Sequence, residues 1–171
     1  MKQQAFLDKI NPVKDKMYRL ALRLLISKEA AEDATQEVIF KLWARKDKLK
    51  DYTNVEAFAM TTTKNYCLDE LKAKKNNNLR IVHQNYENNS ISLQRGLEVK
   101  DEMHWVDKIV NELPEQQKIA FQLRDIEQLE FEEIIEITKM KPTAVRVALS
   151  RARKKIRESL TNKHNYGITK N

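Results

Sequence analysis

The stretch FEEIIEITKMKPTAVRVALSRARKKI, from Phe131 to Ile156, decides the fold of this chain. A short amphipathic segment is followed by a break at Lys141-Pro142 and then by a strongly basic segment with helical periodicity. Pro142 suits the first position of a helix, where its missing N–H would have no partner in any case. Two helices joined by a short turn, the second one basic, are typical of a helix-turn-helix that places its second helix in the major groove of DNA.

The spacing of side chains on the second helix separates a buried face from a basic one. The buried face is predicted to consist of Val145, Leu149, Ala152 and Ile156. An Arg in the first turns can donate two hydrogen bonds to guanine, and small apolar groups can contact the thymine methyl. Later cations suit phosphates, which fix register. The residues predicted to contact duplex DNA are Thr143, Ala144, Arg146, Val147, Ser150, Arg151, Arg153 and Lys154.

The distribution of charge favours DNA binding over an ordinary solvated helix, which is the alternative for any basic amphipathic segment. Residues 107–136 carry three Lys/Arg against nine Asp/Glu, a net charge of −6. Residues 137–171 carry ten against one, a net charge of +9. A surface that serves only solubility needs no such separation, whereas binding to a polyanion does.

The composition of the whole chain predicts an all-α protein. The chain has 171 residues, a net charge of +7, two Gly and three Pro, and few stretches alternate as strands do. The single Cys67 excludes an intramolecular disulfide. We find no signal peptide or membrane span and expect a cytoplasmic protein. No His, Cys or carboxylate pattern suits a metal ion or a catalytic site, so we predict no enzyme, no cofactor and no small-molecule substrate.

Two small helical domains joined by a flexible linker are predicted. An Asn-rich stretch begins at residue 76 and separates two blocks with helical periodicity. We place the first domain at 1–75, the linker at 76–104, the second domain at 105–160 and a frayed tail at 161–171. The first block shows three helical patterns, and Ser27 and Asn54 are placed to cap the second and third helices.

The first block also holds polar residues that helix stability does not require. Asp33, Gln36, Glu37 and Lys41 share one helix face. Asn65 lies in a helix that is otherwise rich in apolar residues, and its amide could hydrogen-bond an unstacked base. Tyr52 and Leu49, in the preceding loop, could hold such a base by stacking or apolar contact. Solvated surface is the alternative for each of these positions.

The two blocks together resemble the extracytoplasmic-function (ECF) sigma factors of bacterial RNA polymerase. The resemblance is carried by AAEDATQEVIFKLW (Ala30 to Trp43), AFAMTTTKNYCLDELKAKK (Ala57 to Lys75), and LPEQQKIAFQLRDIEQLEFEEIIEI followed by VRVALSRARKKI. The first two segments look like sigma region 2 and the last two like region 4. This chain lacks the glycines that the family usually has at 128–130 and in the turn at 138–140.

The resemblance implies partners and roles. Asp33, Gln36, Glu37 and Lys41 would bind core RNA polymerase, and an anti-sigma factor is expected. The basic helix would read the minus-thirty-five element of promoter DNA as duplex. The residues that would bind the minus-ten element as a single strand are Leu49, Tyr52, Met60, Asn65, Lys72 and Lys74, with Met60 at a position where the family often has an aromatic ring.

Two other functions remain open at this level. The first is a free-standing helix-turn-helix regulator that binds duplex DNA without polymerase. The second is a helical protein-interaction module whose basic helix is incidental. The face from Asp33 to Lys41 discriminates the first from a sigma factor, and the DNA contribution of Arg146 and Arg151 discriminates the second.

Overall fold

A computed structural model describes residues 1–84 and 102–168, with side-chain exposure described for 1–78 and 104–163. Every regular element within these ranges is helical, as the composition predicts. The seven α-helices are α1 (Gln3–Leu25), α2 (Lys28–Ala44), α3 (Val55–Gln84), α4 (Glu102–Asn111), α5 (Glu115–Phe121), α6 (Phe131–Thr138) and α7 (Pro142–Ile168). A single 3-10 turn, Lys48–Lys50, precedes α3, and a π-helical turn, Gln122–Ile126, extends α5.

The three N-terminal helices form a bundle around an apolar stripe of α1. Its buried side chains recur at helical spacing and include Ile10, Met17 and Leu20. Both predicted caps are confirmed. The Ser27 hydroxyl accepts a hydrogen bond from the Ala30 N–H (3.2 Å), and the Asn54 side-chain oxygen accepts one from the Ala57 N–H (2.9 Å). These caps satisfy N–H groups that the first turns of α2 and α3 leave unpaired.

The predicted helix-turn-helix is confirmed. α6 begins at Phe131 and ends at Thr138, and α7 begins at Pro142. Gln128 (φ 56°) and Lys139 (φ 58°) adopt the left-handed conformation at the two places where the family usually has glycine. Both the turn before α6, with Gln128, and the turn after it, with Lys139, therefore use a residue that carries a Cβ. This has a conformational cost that glycine would not incur.

The helix ends differ from the predicted linker and tail. α3 continues to Gln84, beyond the predicted linker start, because no Gly or Pro follows Lys75 to stop it. α4 begins at Glu102, inside the predicted linker. α7 continues to Ile168, so residues 161–168 of the predicted frayed tail are helical. The remaining linker, 85–101, and the end of the tail, 169–171, lie outside the described residues.

The two halves of the chain pack against each other. One continuous hydrophobic core contains the apolar stripes of α1, α2 and α3 and also buried residues of the C-terminal half, such as Leu129, Ile134 and Ile137. A smaller cluster joins α4 to the middle of α7 through Val110 and Ala152. We call residues 1–84 the N-terminal domain and 102–168 the C-terminal domain.

Candidate nucleic-acid interface

The first half of α7 presents its predicted DNA-contacting residues to solvent. Val145 and Leu149 are buried against the core, so the opposite side of the helix is turned outward. Val147, an apolar side chain on this outward side, is 45% exposed. All eight residues predicted to contact duplex DNA are exposed, namely Thr143, Ala144, Arg146, Val147, Ser150, Arg151, Arg153 and Lys154.

A cleft between α6 and α7 gathers arginine side chains beside this surface. The Arg146 guanidinium lies over the Phe131 ring, 5.1 Å from its centroid, so α6 braces it by a cation–π contact. The lining of the cleft consists of Arg124, Phe131, Arg146, Leu149, Ser150, Arg153 and Arg157. Four guanidinium groups around one opening can bind the phosphates of a DNA backbone.

Two arginines of this cleft differ from the prediction. Arg153 donates two hydrogen bonds to the Asp125 carboxylate, at 2.7 and 2.9 Å, and this pairing raises the pKa of Arg153. Duplex DNA would therefore compete with Asp125 for that guanidinium. Arg124 was missed at the sequence level, because it lies within the strongly acidic segment 107–136 and nothing local distinguishes it.

α3 and the loop before it carry a second exposed surface, on the N-terminal domain. The Tyr52 and Phe58 rings are stacked, with centroids 4.2 Å apart and an interplanar angle of 26°. Phe58, Asn65 and Lys72 follow one another at intervals of seven residues, so they lie along one line of the helix. Asn65, Lys72 and Lys74 are exposed, and Tyr52 is 42% exposed. An aromatic pair, an amide and cations in one row suit an unstacked strand.

Leu49 and Met60 are corrections to the predicted single-strand contacts. Both side chains are fully buried. The 3-10 turn Lys48–Lys50 directs Leu49 into the core, and Met60 lies on the inward face of α3 beside Ala57. We therefore leave both out of the proposed DNA surface. Phe58 packs against the core and also forms half of the aromatic pair.

The predicted polar face of α2 is exposed and surrounds an apolar side chain. Asp33, Gln36, Glu37 and Lys41 are all accessible to solvent, and the Lys41 ammonium lies 4.6 Å from the centroid of the Tyr66 ring. Phe40, which the sequence argument did not select, is 66% exposed beside them. It borders an open groove that also includes Phe6, Leu7, Ile39 and Trp43. Charged groups around an exposed aromatic ring are typical of a protein-binding surface.

Cys67 lies inside the core of the N-terminal domain. Cys67 is completely buried in α3, and burial raises the pKa of its thiol to about 12. The thiol is therefore protonated near neutral pH, as suits a buried structural side chain. Within the ranges 1–84 and 102–168, no group of His, Cys, Asp and Glu could hold a metal ion. None of the described helices is long and apolar enough to cross a membrane.

Sequence models of two protein families match the chain. The model for sigma-70 region 2 matches residues 10–77, and the model for sigma-70 region 4 matches residues 103–156. The chain belongs to the sigma-70 family. The first match begins within α1 and contains α2 and the exposed row on α3, and the second extends from α4 to the middle of α7. A search of curated protein sequences finds no match.

Solved structures support the fold of this sigma factor. The sigma factor RpoE from Bartonella quintana, in complex with the anti-sigma factor NepR, is 21% identical and has a TM-score of 0.71. The match covers 92% of this chain and 98% of that one. CnrH in complex with the cytosolic domain of CnrY is 16% identical with a TM-score of 0.67, covering 94% of this chain and 90% of CnrH. At these identities the likeness establishes the fold.

The family and the fold confirm the predicted ECF-type sigma factor. Members of this family are transcription factors rather than enzymes. This sigma factor binds core RNA polymerase and promoter DNA and directs the initiation of transcription. A free-standing regulator is not favoured, because such a protein has no use for a region 2 domain.

Proposed function

We propose that this sigma factor uses three separate exposed surfaces, one for polymerase, one for single-stranded DNA and one for duplex DNA. The α2 face of Asp33, Gln36, Glu37 and Lys41, together with Phe40, docks on core RNA polymerase. The row on α3 captures unstacked bases of the minus-ten element. The first half of α7 reads the minus-thirty-five element as duplex. The protein acts in the cytoplasm without a cofactor and without enzymatic activity of its own.

The observation that carries this proposal is the separation of the surfaces within the two family domains. The polymerase face is on α2 and the single-strand row on α3, both within the region 2 match. The duplex surface is on α7, within the region 4 match. One polymerase that holds both domains makes the second DNA contact intramolecular, so two weak readers gain specificity together.

The single-strand row fits a chemical need of promoter opening. A base that has left the duplex is stabilised if it stacks on an aromatic ring and hydrogen-bonds through its exposed edge. Tyr52 and Phe58 provide the rings, and the exposed Asn65 amide lies two helical turns along α3 from Phe58. Lys72 lies two turns beyond Asn65 and provides a cation for the backbone of the same strand.

We also propose an anti-sigma partner. RpoE, which shares this fold, was solved in complex with the anti-sigma factor NepR, and CnrH, which also shares it, in complex with the cytosolic domain of CnrY. The groove beside Phe40 provides exposed apolar surface that a helix of a partner could cover. A partner bound there would exclude polymerase if polymerase uses the neighbouring face.

Transcription in vitro tests the main proposal. Purified protein and core RNA polymerase are incubated with genomic DNA fragments, and transcript start sites are mapped. We expect a small set of starts with shared upstream elements. Replacing Asp33 and Glu37 by Ala should remove polymerase binding and transcription while leaving binding to isolated duplex DNA unchanged. Replacing Asn65 by Ala should spare polymerase binding and reduce opening of the same promoters.

Matched controls make this test decisive. Asp8 and Asp15 are exposed on α1, outside the proposed face, so their double substitution by Ala removes the same charge from the same domain. If that control loses polymerase binding as fully as the Asp33 and Glu37 variant, the loss reflects net charge and the assigned face is wrong. If no start sites depend on the added protein, the sigma-factor proposal itself fails.

A further inference from the structure

The C-terminal domain covers a basic surface of the N-terminal domain. Arg19 and Arg23 on α1 and Lys64 on α3 each bond to the C-terminal domain. Arg19 donates two hydrogen bonds of 2.7 Å to the Glu127 carboxylate. The Lys64 ammonium donates to the Ile137 carbonyl oxygen at 2.8 Å. Arg23 donates to the side chains of Gln122, Asn111 and Asp107, at 2.8, 3.0 and 3.0 Å.

The contacts are shielded from water unequally, because the Arg19 side chain is 47% exposed and that of Asp107 54%, whereas two other members are buried. The Glu127 side chain is 1% exposed, and Lys64 is 8% exposed. Burial lowers the pKa of Lys64, and the nearby charge of Lys139 lowers it further. The cost of burying the Lys64 ammonium is offset by its position at the C-terminal end of α6. There the helix dipole favours a cation, and the Ile137 carbonyl has no partner within the helix.

α6 is bound to α3 at both ends. The Glu133 carboxylate closes the capping box of α6 by accepting the Glu130 N–H, at 2.9 Å. The same carboxylate accepts a hydrogen bond of 2.8 Å from the side chain of Asn54, which itself caps α3. α6 therefore contacts α7 through Phe131 and also bonds to both Asn54 and Lys64 of the N-terminal domain.

Net charge agrees with this pairing. Residues 1–75 carry a net charge of +5, from sixteen basic and eleven acidic residues, whereas residues 107–136 carry −6. The acidic part of one domain is packed on the basic part of the other. It presents carboxylates and a carbonyl to the same cations that a phosphate backbone would bind.

The closed arrangement cannot serve both promoter elements. Lys64 is the neighbour of Asn65 and is bonded to α6, and Arg146 of α7 rests on Phe131 of α6. Packed helices lie about 10 Å apart, so the two DNA surfaces are only a few helix diameters from each other. Two elements about 25 base pairs apart are separated by roughly 80 Å along a duplex. On the proposed function, the domains must part before both elements are bound.

We propose that Arg19, Arg23 and Lys64 form a DNA-backbone site of the N-terminal domain, which the C-terminal domain occupies with its own anionic groups until the two separate. The inference rests on the sigma-factor function proposed above and adds a site and its regulation. Phosphates of the opened strand replace Glu127, Asp107 and the Ile137 carbonyl. Closure and strand binding are then mutually exclusive, and the apparent affinity of the closed protein is reduced by the fraction that is open.

The test compares the two sides of the same contacts in the full chain. Binding of a fluorescein-labelled single-stranded oligonucleotide of mixed sequence is measured by anisotropy at several salt concentrations. Opening is measured by energy transfer between dyes on Glu32→Cys and Asn162→Cys, two exposed positions, because the native Cys67 is buried. Glu127→Gln removes the anionic side of the Arg19 contact, and Arg19→Gln removes the cationic side.

We expect both variants to open the domains and only one to gain affinity. Glu127→Gln should bind the oligonucleotide about tenfold more tightly, with a salt slope steeper by about 0.7 for each released cation that contacts a phosphate. Arg19→Gln should open without binding more tightly than the unsubstituted protein. Glu136→Gln has the same charge change on an exposed part of α6, and it should change affinity by less than about twofold.

Other outcomes overturn the proposal. If Arg19→Gln gains as much affinity for the oligonucleotide as Glu127→Gln, the C-terminal domain only blocks access sterically. Arg19, Arg23 and Lys64 then do not form a DNA-binding site. If Glu127→Gln stays closed, or binds no better than Glu136→Gln, the contacts do not regulate the surface. Should Glu127→Gln fail to fold, Asp107→Asn, which removes the anionic partner of Arg23, takes its place, and Arg23→Gln is then its cationic counterpart. No polymerase is present, so failure here leaves the transcription test of the proposed function unaffected.

Discussion

The basic residues of the two domains are in opposite situations. On α7 they are exposed to solvent. Among the described residues, Arg153 is the only predicted DNA contact that forms a bidentate pair with a carboxylate, that of Asp125. On α1 and α3, Arg19, Arg23 and Lys64 are bonded to the other domain. The cations of α7 are exposed, whereas these three cations are bonded to groups of the same chain.

The difference teaches that charge along the sequence does not identify which cations are available. Segment 137–171 is strongly basic and its cations are exposed, so local composition predicts a DNA surface there. Arg19 lies among alternating charges of α1, and its partner Glu127 is more than one hundred residues away. Only the packing of the two domains reveals that the pair exists.

The largest effect is expected where one helix supports both surfaces. Ile134 is fully buried in α6, which seals α3 on one side and braces α7 on the other. Ile134→Ala should lower the free energy of unfolding by about 2–5 kcal/mol, because it removes buried methyl groups and leaves a cavity. Urea denaturation followed by circular dichroism measures it.

The control for this substitution is Phe40→Ala. Phe40 is a larger apolar residue but 66% exposed, so its truncation should change stability by less than about 0.5 kcal/mol. A loss for Ile134→Ala that is no greater than for Phe40→Ala would mean that α6 is not packed between the domains.

A smaller effect should divide the exposed surface itself. Arg146 is braced on an aromatic ring, whereas Arg153 is paired with Asp125. On a promoter duplex mapped by transcription, Arg146→Ala should weaken binding by about 1–3 kcal/mol, the value of a good base contact. Arg153→Ala should weaken it less, because duplex DNA must first displace Asp125.

Asp125→Asn completes that comparison. Releasing Arg153 should strengthen duplex binding, with little loss of stability, since exposed ion pairs contribute about 0–1 kcal/mol. Equal losses for Arg146→Ala and Arg153→Ala, together with no gain for Asp125→Asn, would show that the ion pair opens freely and does not restrain Arg153.

Much of the fold and part of the site follow from the sequence. Helical periodicity places α1, α2, α6 and α7, and cap residues place the starts of α2 and α3, because these signals are local. The polar face of α2 and the exposed residues of α7 were also predicted. Leu49 and Met60 were not predicted correctly, because the choice of the buried residue among neighbouring apolar side chains depends on the other helices.

Contacts between the domains could not be predicted. Lys64 and Ile137 are 73 residues apart, and neither has a sequence neighbour that signals the other. Arg124 could not be predicted either, because its position in the arginine cleft depends on how the turn after α5 packs. Composition did indicate the attraction, as opposite net charges in two segments, but not which atoms meet.

The turns that hold α6 in place allow a prediction of opposite sign. Gln128 and Lys139, which flank α6, have φ values of 56° and 58°. Gln128→Gly and Lys139→Gly should each stabilise the protein by up to about 1 kcal/mol, because glycine adopts this conformation without a Cβ clash. Glu136→Gly, inside α6, is the control and should destabilise by about 0.5–1 kcal/mol. If all three destabilise, the turns are not under conformational cost.

The smallest effect concerns a single titrating group on the covered surface. Burial lowers the pKa of Lys64 below its ordinary value of 10.5, so its charged form is disfavoured in the closed protein. Below the lowered pKa, Lys64 is charged in both forms and the penalty on closure is complete. As pH rises from there towards 10.5, the closed form loses the proton first and the penalty disappears. The closed fraction should therefore rise with pH in this alkaline window.

Energy transfer between the two domains can isolate that effect. Lys139, which lowers the pKa of Lys64, and Glu115, which raises it, also face this group, and other lysines titrate nearby in pH. The informative quantity is therefore the difference between the unsubstituted protein and Lys64→Met, which has no titrating group at this position. A difference that rises with pH agrees with a buried, desolvated ammonium at the end of α6. A difference that falls with pH would mean that closure favours the charged form of Lys64. The attraction of the ammonium to the C-terminal end of α6 would then be larger than the cost of burying it.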